Sequence, residues 1–303
     1  MLSLRGTIPI PPHAPSEFDH GDVERRSGRV FVAHTQAGTV EAIDGSERQH
    51  RLTIEGCAEA SGVLVAQEAG FVFAAARGAG QVLVIEADSG EVLRAIPVDP
   101  RPNGLAWDDT RQHLLVADVQ ENTARLVTPQ GDLLSSTALP GRPRWCVFDA
   151  ARDRFLVNIR EPACVAVLAA DTGAVVSQWA IPSAGPHGLD LDGALGHAFV
   201  ACDGGQVVRI ALVDGHVLGM AALAGVPDAI WLNAARHQLY VAIGDPGVVQ
   251  VVDTSTMRVI QTLATEPGAH TTAFDPQGQV LYVFLPVSCQ AGIYAVTDEG
   301  AQQ

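Results

Sequence analysis

Short apolar runs recur along this chain at a nearly constant spacing. VFVA opens at Val30, FVFA at Phe71, LLVA at Leu114, FLVN at Phe155, AFVA at Ala198, LYVA at Leu239 and LYVF at Leu281. Successive runs start 41, 43, 41, 43, 41 and 42 residues apart. Eleven residues upstream of each, another apolar segment opens, at Asp19, Ala60, Asn103, Arg144, His187, Asp228 and His270, so two markers keep the same intervals. A third strand-like run follows, as in QVLVIEADSG from Gln81, and then a fourth, as in EVLRAIPV from Glu91. Several copies place an Asp-x-x-Gly turn between the third and the fourth. Apolar alternation over four to eight residues between Gly and Asp turns is the signature of half-buried strands, and no helical period competes with it.

Four short strands in about 42 residues, repeated seven times, predict an all-β fold, a seven-bladed β-propeller with blades opening near 19, 60, 103, 144, 187, 228 and 270. The last copy ends after its third strand near Val296, while the N-terminal LSLRGTIPI reads as a fourth strand. Residues 2–10 are therefore expected to complete the seventh blade, making residues 1–303 one ring without an open sheet edge. An open solenoid of the same units is the alternative, and it would leave both ends uncapped.

The string LYVAIGDPGVVQVVDTSTMRVIQTL from Leu239 resembles the repeat of the YVTN (YncE-like) propeller family, and FDHGDVERRSGRVFVAHT from Phe18 resembles that family's first repeat. The likeness spans nearly the whole chain. It implies the propeller and no particular activity. WD40 signature dipeptides and the tryptophan docking motifs of quinoprotein dehydrogenases are absent.

Charge narrows the partners. Nineteen basic against thirty-four acidic side chains leave a formal net charge of −15, which disfavours nucleic acid and anionic membranes. The five cysteines are widely spaced and form no C-x-x-C pair, so neither a disulfide framework nor a structural zinc site is indicated. With no signal-peptide core and no uncharged stretch long enough to span a bilayer, the sequence reads as a cytoplasmic protein. Oligomeric state is left open.

In a propeller the innermost strand of each blade begins at the face where the second strand ends, so residues at both points ring one mouth of the channel. Six of the seven aligned opening positions are polar. Blades five, six, seven and one are neighbours in a closed ring, which gathers His187, Asp228, His270 and the pair Asp19 and His20 into one arc. Imidazoles with one or two carboxylates suit a divalent transition metal such as zinc, iron, manganese or nickel, or direct acid-base catalysis. Expected metal ligands are His187, Asp228, His270, His20 and Asp19, and expected catalytic residues His20, His187, His270 and Arg144. Across the mouth, Asn103, Arg144, Trp145 and Glu59 are expected to bind substrate, the arginine by offering a planar fork to a carboxylate or carbonyl. For each histidine taken alone, a turn or channel-lining role is the competing reading.

These features point to a small-molecule enzyme, a metal-dependent hydrolase or a lyase, acting on an anionic or carbonyl-bearing substrate. Metal-dependent six-bladed lactonases and seven-bladed antibiotic-linearising lyases are similar in architecture and site position. A noncatalytic scaffold binding a protein or small ligand, or a metal carrier without turnover, are the other readings.

Overall fold

The computed structural model describes residues 1–12, 16–98 and 100–297. Its strands form seven four-stranded antiparallel sheets. Blade 1 runs through Phe18–Glu24, Arg29–His34, Thr39–Asp44 and Gln49–Ile54, and blades 2 to 6 repeat that order. Blade 7 takes Thr272–Asp275, Val280–Leu285 and Gln290–Val296 from the C-terminal end and its outer strand, Leu2–Pro9, from the N-terminal end. Leu2 pairs with Val296 and Pro9 with Gln290, and the Ile10 amide continues the seam onto the Cys289 carbonyl. This is the expected closure. Among the described residues no helix is long and apolar enough to cross a membrane.

Apolar burial is distributed around the ring, with seven buried clusters that each join two neighbouring blades. The cluster closing blade 7 onto blade 1 includes Ile8 from the N-terminal strand, Phe284 and Phe18. At roughly 25 cal/mol per Å² of apolar surface, these seams supply most of the driving force for the fold. They hold the inner strands in fixed relation.

The inner strands share an irregularity that creates the site. In blade 1, Phe18 pairs with His34 but the next paired residue is Gly21 with Val32, so three steps on one strand oppose two on the other. The same shift recurs in blades 2 to 6. Such a bulge re-aims side chains, and here it lets both members of a dipeptide face the channel. Asp19 reaches Arg77 while His20 lies over the channel against Trp145.

Pairing also corrects one expected register. Phe71 pairs with Ala66, as Arg29 pairs with Glu24, so FVFA starts one residue earlier in its blade than VFVA does. The ring residue of blade 2 is therefore Ser61, and Ala60 turns into the seam with blade 1. An aromatic residue at a position that is Arg or His in four other blades made the run look one residue longer.

Candidate functional site at the channel mouth

With that correction, Asp19, Ser61, Asn103, Arg144, His187, Asp228 and His270 occupy equivalent positions, six of them set by the inner-strand bulges. The bulges stack closely. A Cβ on Gly188 would lie 2.3 Å from the Asp228 carbonyl oxygen, and one on Gly104 2.2 Å from that of Arg144. Glycine after the ring residue thus lets the next blade's ring residue approach.

The expected arc is assembled around Asp228. His187 Nε2 lies 3.3 Å from Asp228 Oδ1, and His270 Nε2 lies 3.9 Å from Oδ2. His187 Nδ1 is 2.9 Å from Asp203 Oδ1, so both of its nitrogens face carboxylate oxygens. The His270 Nδ1–H donates to the Gly268 carbonyl at 2.7 Å, which leaves Nε2 to meet Asp228 or a substrate. Burial opposes ionisation of Asp228, yet His187, His270, His20 and Arg144 hold its carboxyl below the usual range. Burial likewise opposes the charge on Asp203, which His187 and Arg160 nevertheless hold low.

The two histidines flanking Asp19 are driven apart. Burial lowers the His20 pKa, against the pull of Asp19 and Asp228. Burial also works against the His270 imidazolium, but Asp228, Asp19, the Gly268 carbonyl and Glu17 outweigh it and raise that pKa. His20 Nε2 is 3.4 Å from Asp19 Oδ1, and its ring packs on Trp145 with centroids 4.0 Å apart. Trp145 therefore acts as a platform for His20, and its edge meets Trp231.

Opposite the arc, the residues expected to bind substrate divide. Asn103 is buried and accepts a hydrogen bond from Arg77 Nη1 at 3.2 Å, while Glu59 sits on the rim, 2.8 Å from Arg101 Nη2. Arg160 Nε contacts Asp203 Oδ2 at 2.7 Å. The Arg144 Nε, like that of Arg77, is buried without a hydrogen-bond partner, but Arg77 is engaged with Asn103 through Nη1. Burial lowers the Arg144 pKa, with Arg142 and Arg160 adding to the effect against Asp228 and Asp203. An unsatisfied guanidinium facing a carboxylate-bearing arc is a receptor for an anionic or carbonyl oxygen.

Two further residues support the arc, of which Asn158 escaped the sequence reading. Asp203 orients His187, and Asn158, fully buried, donates through Nδ2 to the carbonyls of both His187 and Gly188 at 2.9 Å. The signal for Asn158 was present, since FLVN carries Asn where five of the other six runs carry Ala. Asn158→Ala would strand two buried carbonyls, and we expect a loss of about 1–3 kcal/mol in stability, measured by denaturant unfolding. By contrast, Cys202 at the mouth is no nucleophile, because burial pushes its thiol up to about 12.

The donor types of a transition-metal set are present, but their convergence is not. Among the described residues no three His, Cys, Asp or Glu side chains meet as a metal ion requires. The Nε2 atoms of His187 and His270 instead address the two oxygens of Asp228.

No family model matches the chain, and no curated protein matches it in sequence. Among solved structures, a streptogramin B lyase superposes with a TM-score of 0.83, covering 98% of this chain and 98% of its own at 15% identity. The two chains share the seven-bladed propeller. At that identity the likeness is one of fold, and the activity of the lyase remains a statement about the lyase.

Proposed function

We propose that the protein is a lyase that performs an elimination on a small substrate bearing a carboxylate or carbonyl group, bound at the channel mouth. The observation that carries this reading is the placement of His20 and His270 on either side of Asp19, burial lowering the pKa of the first and Asp228 and Asp19 raising that of the second, opposite an arginine whose Nε lacks a partner. Groups whose surroundings drive their pKa values apart are natural acid-base partners. His20 takes the proton from the carbon next to the activating group, His270 gives its proton to the leaving atom, and a C=C bond forms as the C–X bond breaks. Arg144 and Asn103 hold the oxygen on which negative charge gathers, and Asp228, held by His187, keeps the His270 imidazolium in place. The architecture shared with a streptogramin B lyase supports an elimination enzyme of this kind. The YVTN-like repeat strings supply the propeller and imply no chemistry of their own.

A panel of carboxylate- and ester-bearing substrates, run in oxygen-labelled water, tests the reading. Elimination yields an unsaturated product without solvent oxygen, whereas hydrolysis incorporates one. We expect kcat/KM to follow a bell-shaped pH profile, rising as His20 loses its proton and falling as His270 loses its own. His270→Ala should reduce turnover by about 10²–10⁴-fold with the fold retained. Absence of turnover across the panel would leave a binding scaffold. Chelation before assay examines the expected metal: turnover that survives supports acid-base catalysis by the histidines themselves, and turnover that is lost and then restored by one divalent ion would overturn it.

A further inference from the structure

Blade 1 contains a polar assembly that the channel-mouth chemistry does not use. Glu41 is 1% exposed, yet its carboxylate collects four partners. Thr39 Oγ1 donates to Oε1 at 2.6 Å and Thr53 Oγ1 to Oε2 at 2.7 Å, while His50 Nε2 lies 2.8 Å from Oε2 and His34 Nδ1 3.3 Å from Oε1. Burial opposes this charge, but the four partners together hold the carboxyl well below the usual range. The equivalent positions in blades 2, 4 and 5 are Leu83, Ala166 and Val208, all buried. A carboxylate in such a seam costs several kcal/mol unless fully partnered, so an apolar residue would serve packing as well or better.

The ionised carboxylate fixes the proton positions along a chain of side chains. Glu41 only accepts, so His34 Nδ1 must carry the proton it shares with Glu41. In neutral His34, Nε2 is then a lone pair, and it lies 3.0 Å from Ser16 Oγ. The Ser16 O–H therefore donates to His34 Nε2. Cys289 Sγ also sits 3.4 Å from Ser16 Oγ, with its S–H donating to the Pro11 carbonyl. Phe18 stacks on the His34 ring at 4.6 Å and fixes its plane. Unlike the inaccessible imidazole, which is 1% exposed, Ser16 lines a surface depression of about 620 Å³ together with Pro12, Gly268, His270, Val287 and Ser288.

We infer that Ser16, His34 and Glu41 form a serine nucleophile, general base and orienting carboxylate, giving the protein an esterase activity distinct in chemistry from the elimination at the channel mouth, which it adjoins at His270. Ser16 Oγ attacks an ester carbonyl carbon as its proton passes to His34 Nε2, and the ester C–O bond breaks while His34 returns that proton to the departing alkoxide. Water, deprotonated by His34, then cleaves the acyl-serine, releasing the carboxylic acid and restoring the Ser16 hydroxyl. Glu41 touches no reacting atom and acts by positioning His34. The substrate class is a small ester whose acyl group fits the depression beside Gly268 and Val287.

Intact-protein mass spectrometry after treatment with a fluorophosphonate probe tests this directly. We expect one adduct per chain, mapped to Ser16 by peptide sequencing, and none on Ser16→Ala. His34→Gln, which keeps a polar side chain of similar size, should slow labelling by at least about 100-fold, with its melting curve showing that it remains folded. Ser16→Ala should leave elimination at the channel mouth unchanged. An unlabelled parent under conditions that label a known serine esterase, an adduct at another serine, or equal labelling of Ser16→Ala would each overturn the inference. Because Ser16 is partly exposed and outside the buried seams, its variants decide the matter even if His34→Gln does not fold.

Discussion

Arg144→Met will lose about 10²–10³ in kcat/KM while melting at the same temperature as the parent or higher. The two halves of that result have one cause. Arg144 holds a charge in a site where burial works against it, with Nε unsatisfied and Arg142 and Arg160 repelling it. A methionine of similar length removes the cost and keeps the packing of the stem. It also removes the donor fork that steadies developing negative charge in the reaction, and loss of one such donor is worth about 3–4 kcal/mol of barrier. Arg144→Lys would restore the charge without the planar fork and should recover only a small part of the rate. A purely structural arginine would behave in the opposite way, losing stability on truncation and leaving turnover on the remaining residues. Steady-state kinetics beside thermal melts separates the two cases.

The channel holds a cavity of about 320 Å³ whose wall includes His20, Asp22, Asp190, Arg25, Leu105 and Trp231. Asp22 and Asp190 occupy equivalent places in blades 1 and 5, and each ties its own blade to the next. Asp22 accepts from the amides of Val23 and Val65, and Asp190 from those of Leu191 and Leu232. Burial raises both carboxyls to about 6 in spite of these amides and Arg25, and the charge on Asp22 adds to the rise at Asp190. In the unfolded chain both would titrate near 3.8. Between those values the folded protein binds more protons, so these two groups make stability fall as pH rises from about 4 to 6, after which their effect is flat.

Each carboxylate is worth roughly 3 kcal/mol across that window if it titrates alone. His270, whose pKa is raised, adds a decline in the same direction at higher pH, whereas Asp228, Asp203 and Glu41, whose values are lowered, stabilise above the usual carboxylate range and lose that as pH falls. An Asp22→Asn, Asp190→Asn double variant retains those groups and removes the two of interest. We expect the parent to be more stable than the variant near pH 4.5 by a margin that shrinks by several degrees in Tm by about pH 7. Parallel melting curves across this range would show that the two carboxylates are solvated through the cavity.

How far the site was legible can be seen from the residues themselves. The arc of His187, Asp228 and His270 with Asp19 and His20 emerged because ring closure makes blades five to one neighbours, and the structure brings those side chains together. Trp145, expected to bind substrate, lines the channel cavity and packs on His20, a contact across the channel between blades 1 and 4. Asn158 went unassigned because its partners lie on a neighbouring blade. Ser16, His34 and Glu41 went unassembled for a related reason: they come from a connecting segment and the second and third strands of one blade.

The amino-acid sequence by itself determined the number of blades, their four-strand composition and the N-terminal closure, because each depends on apolar periodicity and turn residues, which are local and repeat seven times. Only the tertiary structure decided which way the ring residues point. An alternating strand sends neighbours to opposite faces, but a bulge at each blade opening breaks that alternation and turns Asp19 and His20, or Arg144 and Trp145, toward the same channel. Charge state was likewise beyond the sequence: His20 and His270 are chemically identical side chains, and only burial against Trp145 in one case and the approach of Asp228 and the Gly268 carbonyl in the other make them differ.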